Sequence, residues 1–206
     1  RMKNFIEVHK TEDEQAEQIK KWIKENGGQI VAGVVMGLSA IWGFDYYKNY
    51  QNEQSTQARS HYLSLVVNPN NTESFDKLQN NYTGSGYVDQ SSLLMAKNAV
   101  NNKQYQQALD YLSPLLESEN EFVAHSAKLR MAAIHLEMNN YDQALSVLEA
   151  TENNAFSGLY NHTKGDVYLA QNNIDSAKKH YRLALSQLSN DSELKSLIKI
   201  KLNDLN

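Results

Sequence analysis

The sequence predicts an all-α protein: one membrane-spanning helix near the N-terminus, then a solenoid of helical hairpins closed by a capping helix. Three observations carry this. A single uncharged stretch runs from Asn26 to Phe44. A short motif ending in alanine recurs at Ala108, Ala144 and Ala177, spaced by 36 and 33 residues. Only 2 prolines and 9 glycines occur in 206 residues, so little interrupts helices. Composition narrows the function classes. With a net charge of -4 and a pI near 5.9, the chain lacks the basic stripe that neutralises phosphates, so nucleic acid is not an expected partner. There are no cysteines, which excludes thiolate metal sites, disulfide scaffolds and cysteine nucleophiles. A mean hydropathy of -0.62 is polar for a membrane protein, as expected of a soluble body on one short apolar tether.

The first element is a juxtamembrane segment over 1–25. Thr11-Glu12-Asp13-Glu14 reads as a capping box, and Ala16, Ile19 and Ile23 then share one helical stripe. Acids crowd the first turn and lysines the last, as the helix dipole favours. Such a helix either lies in the membrane interface or stands solvated beside it. A transmembrane helix is expected over 26–47. Nineteen residues of helix rise about 28 Å, close to the roughly 30 Å of a hydrocarbon core. The strictly apolar part begins only at Ile30, so a buried core helix is the alternative, and the flanks argue against it. Trp22 on one side and Trp42, Tyr46, Tyr47 and Tyr50 on the other resemble aromatic belts, and Lys20, Lys21 and Lys24 can snorkel. A cleavable signal peptide would need a basic start and a small-residue cleavage site; here an acidic segment precedes the run and aromatics follow it. Lys20, Lys21 and Lys24 against Lys48 and Arg59 favour a cytoplasmic N-terminus and a C-terminal domain across the membrane. Within the span, Gly33 and Gly37 form a GxxxG pair that allows another helix to approach closely.

Residues 48–88 are expected as a helical linker and a degenerate first hairpin. Ala58, Tyr62, Leu65 and Val66 are its buried stripe, Asn68-Pro69 breaks it, Phe75 and Leu78 begin a shorter helix, and Thr83-Gly84-Ser85-Gly86 is a loop. Three hairpins then fill 89–190, at approximately 89–117, 121–150 and 157–188. Their spacing brackets the 34-residue tetratricopeptide period. The third copy is clearest: Gly165 and Tyr168 on its first helix, then Ile174, Ala177, Tyr181 and Ala184 on its second, fit the small-aromatic-alanine pattern. Small residues at Gly165 and Ala177 let the paired helices approach. The second copy keeps Ala132, Tyr141, Ala144 and Leu148 but has His135 at an aromatic packing position; the first keeps Ala96, Tyr105, Ala108 and Leu112. The segment 191–206, with Leu194, Leu197, Ile198, Ile200, Lys201 and Leu205, suits a terminal capping helix.

Catalytic chemistry is not expected, nor a cofactor or metal. The six histidines include no HExxH spacing, Gly84-Ser85-Gly86 is too short for a phosphate loop, and no GxSxG elbow occurs. What the repeats offer instead is a concave groove lined by the first helix of each hairpin. The register places Gln90, Leu93 and Lys97, then Ser126, Leu129, Arg130 and Ala133, then Leu159, His162 and Asp166 towards it. Leucines with scattered polar groups suit an extended, partly apolar polypeptide. The alternative is that those leucines pack between repeats.

The run Glu14-Gln-Ala-Glu-Gln-Ile-Lys-Lys-Trp-Ile-Lys-Glu-Asn-Gly27, the Gly-rich apolar span, Trp42-Gly-Phe-Asp-Tyr-Tyr47 and the repeat domain together resemble the YfgM family, most specifically over residues 14–47. These are ancillary subunits of the bacterial SecYEG translocon. The resemblance implies a single-pass inner-membrane protein with its N-terminus cytoplasmic and its repeats periplasmic. It also implies association with SecYEG, with a PpiD-like periplasmic chaperone and with emerging secretory polypeptides. It transfers no catalytic motif and no single-residue binding signature. A regulatory adaptor, whose N-terminal segment binds a cytoplasmic factor while the repeats are structural, is the alternative.

Overall fold

The computed structural model describes residues 12–149 and 155–205. Thr11 of the expected capping box, the end of the second expected hairpin at Ala150 and Asn206 lie outside them. Nine α-helices and a 3-10 turn occur among the described residues, with no strand. The chain divides into two compact units, 1–55 and 56–206, and the boundary falls inside the first helix, α1 (Glu12–Val67). Glu12–Val67 runs as one continuous helix, with no proline in it to interrupt helical backbone.

In the first unit, α1 contains a window long and apolar enough to cross a membrane, and none of that window is buried. Val31, Met36, Trp42 and Phe44 are all more than half exposed. A core helix would be covered by its own fold; this one is bare among the described residues.

In the second unit, the end of α1 packs against α2 (Thr72–Asn81) and α3 (Gly86–Asn101). Ala58, Leu65, Leu78 and Met95 are buried there, with Tyr62, Phe75 and Tyr87 against them. Burying a leucine such as Leu65 or Leu78 contributes roughly 1.5–3 kcal/mol. Val66, expected in the stripe, is exposed instead. Residues 58, 62 and 65 keep an i, i+4, i+7 face, and 66 lies about 100° round the helix from 65. Pro69 follows the end of α1, and α2 is capped by Asn71, whose side chain accepts from the Ser74 N–H at 3.2 Å.

The hairpins follow: α3 with α4 (Tyr105–Leu112) and a 3-10 turn Ser113–Glu117, α5 (Glu121–Glu137) with α6 (Tyr141–Val147), and α7 (Ser157–Ala170) with α8 (Ile174–Gln187). A final helix, α9 (Leu194–Asp204), packs on α8. Each hairpin turns by the same device. Lys103, Asn139 and Asn172 all adopt φ 60°, the left-handed conformation that ends a helix. Around them, the N–H groups of Gln104, Asn140 and Asn173 reach the carbonyls of Ala99, His135 and Tyr168, each at 2.8 Å. These are six-to-one bonds of Schellman motifs, and identical turns set one hairpin geometry three times. They also place Lys103 in register with Asn139 and Asn172, in agreement with the alanine spacing. Asn101 and Asn102 form the last residue and the cap of α3.

Candidate interaction surface

The hairpin cores fix which faces of α3, α5 and α7 remain available. Ala96, Ala99, Ala108 and Leu112 are buried between α3 and α4, and Ala132, Leu148 and Tyr160 between the second and third hairpins. Ala177, Tyr181, Ala184 and Ile198 are buried where α8 meets α9. The small positions are used as close approaches. A Cβ on Gly165 would stand 2.5 Å from Tyr181 Cε1, so the ring of Tyr181, more than Ala177, dictates glycine there. His135 sits half-buried at its packing position, its Nδ1 buried with no hydrogen-bond partner among the described residues. Burial holds its pKa below the ordinary imidazole value.

Of the ten residues expected to line a groove, Gln90, Lys97, Arg130 and Ala133 are exposed. Leu93 packs on the first-hairpin core and Leu129 on the Ala132–Leu148–Tyr160 core, so both leucines serve packing between helices. Ser126 is half-buried and its Oγ accepts a long bond, 3.5 Å, from Arg130 Nε one turn on; Leu159 is also half-buried.

His162 and Asp166 are brought together, one turn apart, in a network with two residues from other helices. Lys201 of α9 lies 2.6 Å from Asp166 Oδ1 and 3.2 Å from His162 Nε2. Tyr181 of α8 donates its hydroxyl to the same Asp166 oxygen. An ammonium has only donors, so His162 Nε2 accepts and the ring is neutral with its proton on Nδ1. Burial lowers the His162 pKa most; Asp166 pulls it up and Lys201 pushes it down. Burial first, then the bond to Asp166 and its charge, raises the Tyr181 pKa. Asp166 thus spends its charge inside the fold.

Lys201 as a partner of Asp166 was missed from the sequence, although a lysine inside the apolar stripe of α9 was the available signal. Two stripe residues, Leu197 and Ile200, are exposed, at 46% and 57%. An aromatic cluster at the start of α5 and α7 was also missed. The His125 ring stacks on Phe156 with centroids 4.5 Å apart, and its Nδ1 lies 2.8 Å from the Tyr160 hydroxyl. Burial pushes the Tyr160 pKa up to about 12. Phe122, 5.6 Å from Phe156, is exposed. No three His, Cys, Asp or Glu side chains gather as a metal site among the described residues.

A family model described as a tetratricopeptide repeat-like domain matches residues 20–206. The chain belongs to that family. Near-full-length relatives share one name. The ancillary SecYEG translocon subunit of Aggregatibacter actinomycetemcomitans is 27% identical over 94% of this chain and 97% of its own length. That of Haemophilus influenzae is 27% identical with the same coverage, and that of Escherichia coli is 22% identical over 97% and 99%. The resemblance drawn from residues 14–47 and the repeats is thus borne out. Tetratricopeptide-like repeats form a protein-interaction scaffold, and the match runs through the apolar part of α1 as well as the hairpins.

Proposed function

We propose that the chain is a non-enzymatic, membrane-anchored interaction scaffold beside the Sec channel, binding a PpiD-like periplasmic chaperone, emerging secretory polypeptides, or both. One observation carries the reading. Relatives named ancillary SecYEG translocon subunit align with the apolar helix and the repeats together, over 94–97% of this chain. In this reading α1 seats the chain in the inner membrane, with Gly33 and Gly37 available to a neighbouring helix. The N-terminus is cytoplasmic, supported by Lys20, Lys21 and Lys24 before the apolar run, and the repeats are periplasmic. Exposed Gln90, Lys97 and Arg130 offer the open part of the groove.

Photo-crosslinking amino acids at Gln90, Lys97 and Arg130, and separately at residues 15–24, test this in intact cells. Adducts from the groove to a periplasmic chaperone or a secretory chain, with the channel co-purifying, are expected. Partners captured only from 15–24 would instead favour the adaptor. Because the chain has no cysteine, a single Glu137→Cys reports topology directly. Labelling by an impermeant thiol reagent in cells with only the outer membrane opened is expected; labelling only after lysis would reverse the orientation.

A further inference from the structure

Lys201 is the residue through which α9 makes its ion pair with α7, and it does so in front of a titratable ring. We propose that His162, Asp166 and Lys201 form a pH-operated latch that holds α9 on the third hairpin at neutral pH and loosens it on acidification.

The charged and titratable groups facing His162 come from three helices. On its own helix Asp166 Oδ2 lies 3.5 Å from Nε2; from α8 the Tyr181 ring stands 6.2 Å away, centroid to centroid; from α9 Lys201 Nζ sits at 3.2 Å. In the neutral state these are consistent. Lys201 donates to both the carboxylate and the imidazole, and its ammonium lies 5.6 Å from the Tyr181 ring centroid. Adding a proton to Nε2 turns an acceptor into a donor and sets two cations against each other. Asp166 Oδ1 already receives Tyr181 and Lys201, so only Oδ2 can serve the new donor. Either the ring swings away or the ammonium does, and α9 loses its ion pair in the second case.

The sign follows from linkage. With α9 docked, the His162 pKa lies below 6.5, chiefly through burial. With α9 released, the ring is hydrated and free of Lys201, so its pKa moves back towards that value. The released state therefore binds more protons as pH falls below about 6.5, and acid favours release. Release would uncover Ile198 together with the apolar face of Ala177, Tyr181 and Ala184, and would free the Asp166 carboxylate. The end of the solenoid would then present an apolar face, with the Asp166 carboxylate beside a protonated His162, that neutral pH keeps covered.

Hydrogen exchange on the full-length chain in detergent tests this at pH 7.5 and 5.5, with times scaled for intrinsic exchange. The α9 amides are expected to lose about fivefold more protection than those of α3 and α4 at the lower pH. His162→Gln, which cannot titrate, should abolish that difference. His180→Gln should keep it: His180 has a pKa lowered by burial, Lys164 and Lys179, but its ring bonds Asn161 and stacks on Tyr168 rather than on His162, Asp166 or Lys201. A wild type without the difference, a His162→Gln chain that keeps it, or a His180→Gln chain that loses it would overturn the latch. Should His162→Gln fail to fold, imidazole nitrogen shifts in wild type decide. A His162 midpoint below 6.5 that coincides with α9 loosening supports the latch, and separate midpoints refute it.

Discussion

Gly33 and Gly37 of α1 and Gly158 and Gly165 of α7 are all helical glycines, and their surroundings are opposite. A Cβ on either α1 glycine would meet nothing within 4 Å. On Gly158 it would stand 2.8 Å from Leu188 Cγ, and on Gly165 2.5 Å from Tyr181 Cε1. In α7 the glycines are spent on packing within the fold. In α1 the same residue type faces open space among the described residues, which leaves room for a helix to approach closely. A small residue in a helix thus marks a close neighbour in one unit and an unfilled place in the other.

Three substitutions press on that contrast. Gly165→Val carries the largest expected effect. Overpacking against Tyr181 should destabilise the repeats by about 1–3 kcal/mol, more than the roughly 0.3–0.5 kcal/mol gained when valine replaces a helical glycine. Thermal melting checks it, and an unchanged or raised Tm would mean that Tyr181 yields freely. Gly37→Leu should leave that melting transition unchanged. If Gly33 and Gly37 seat a helix of the channel, it should cut channel co-purification about tenfold, corresponding to the ~1–2 kcal/mol of a membrane helix contact. Full co-purification would assign the pair to lipid. The smallest change is expected at Lys103, which holds φ 60° where its counterparts are asparagines. Lys103→Asn should stabilise the first hairpin by about 0.5 kcal/mol, since asparagine tolerates the left-handed region better than lysine. Denaturant titration would resolve it, and a loss of stability would show that the Lys103 side chain makes a contribution of its own.

Much of this architecture was legible because its signals are local. An uncharged run of span length, Asn-Pro after a helix and alanines at a repeat interval each report on the residues that carry them. The turns were only half legible. The alanine spacing puts Lys103 opposite Asn139 and Asn172, but only the backbone shows that this position, just after the cap, turns left-handed. The groove was less legible still. Leu93 and Leu129 fell on the expected helices, but a leucine facing a groove and a leucine wedged between hairpins have the same spacing. By spacing alone Asp166 reads as a polar groove residue, whereas Lys201, 35 residues away, holds it inside the fold.

By itself the sequence determined the helical class, the apolar segment and the family likeness, since each depends on periodicity or composition along the chain. Tertiary structure alone decided that Gly165 answers to Tyr181, that Val66 turns outward, and that Asp166 is neutralised by Lys201. These depend on which side chains of different helices meet in space, and helical periodicity states only which residues share a face, not what stands opposite.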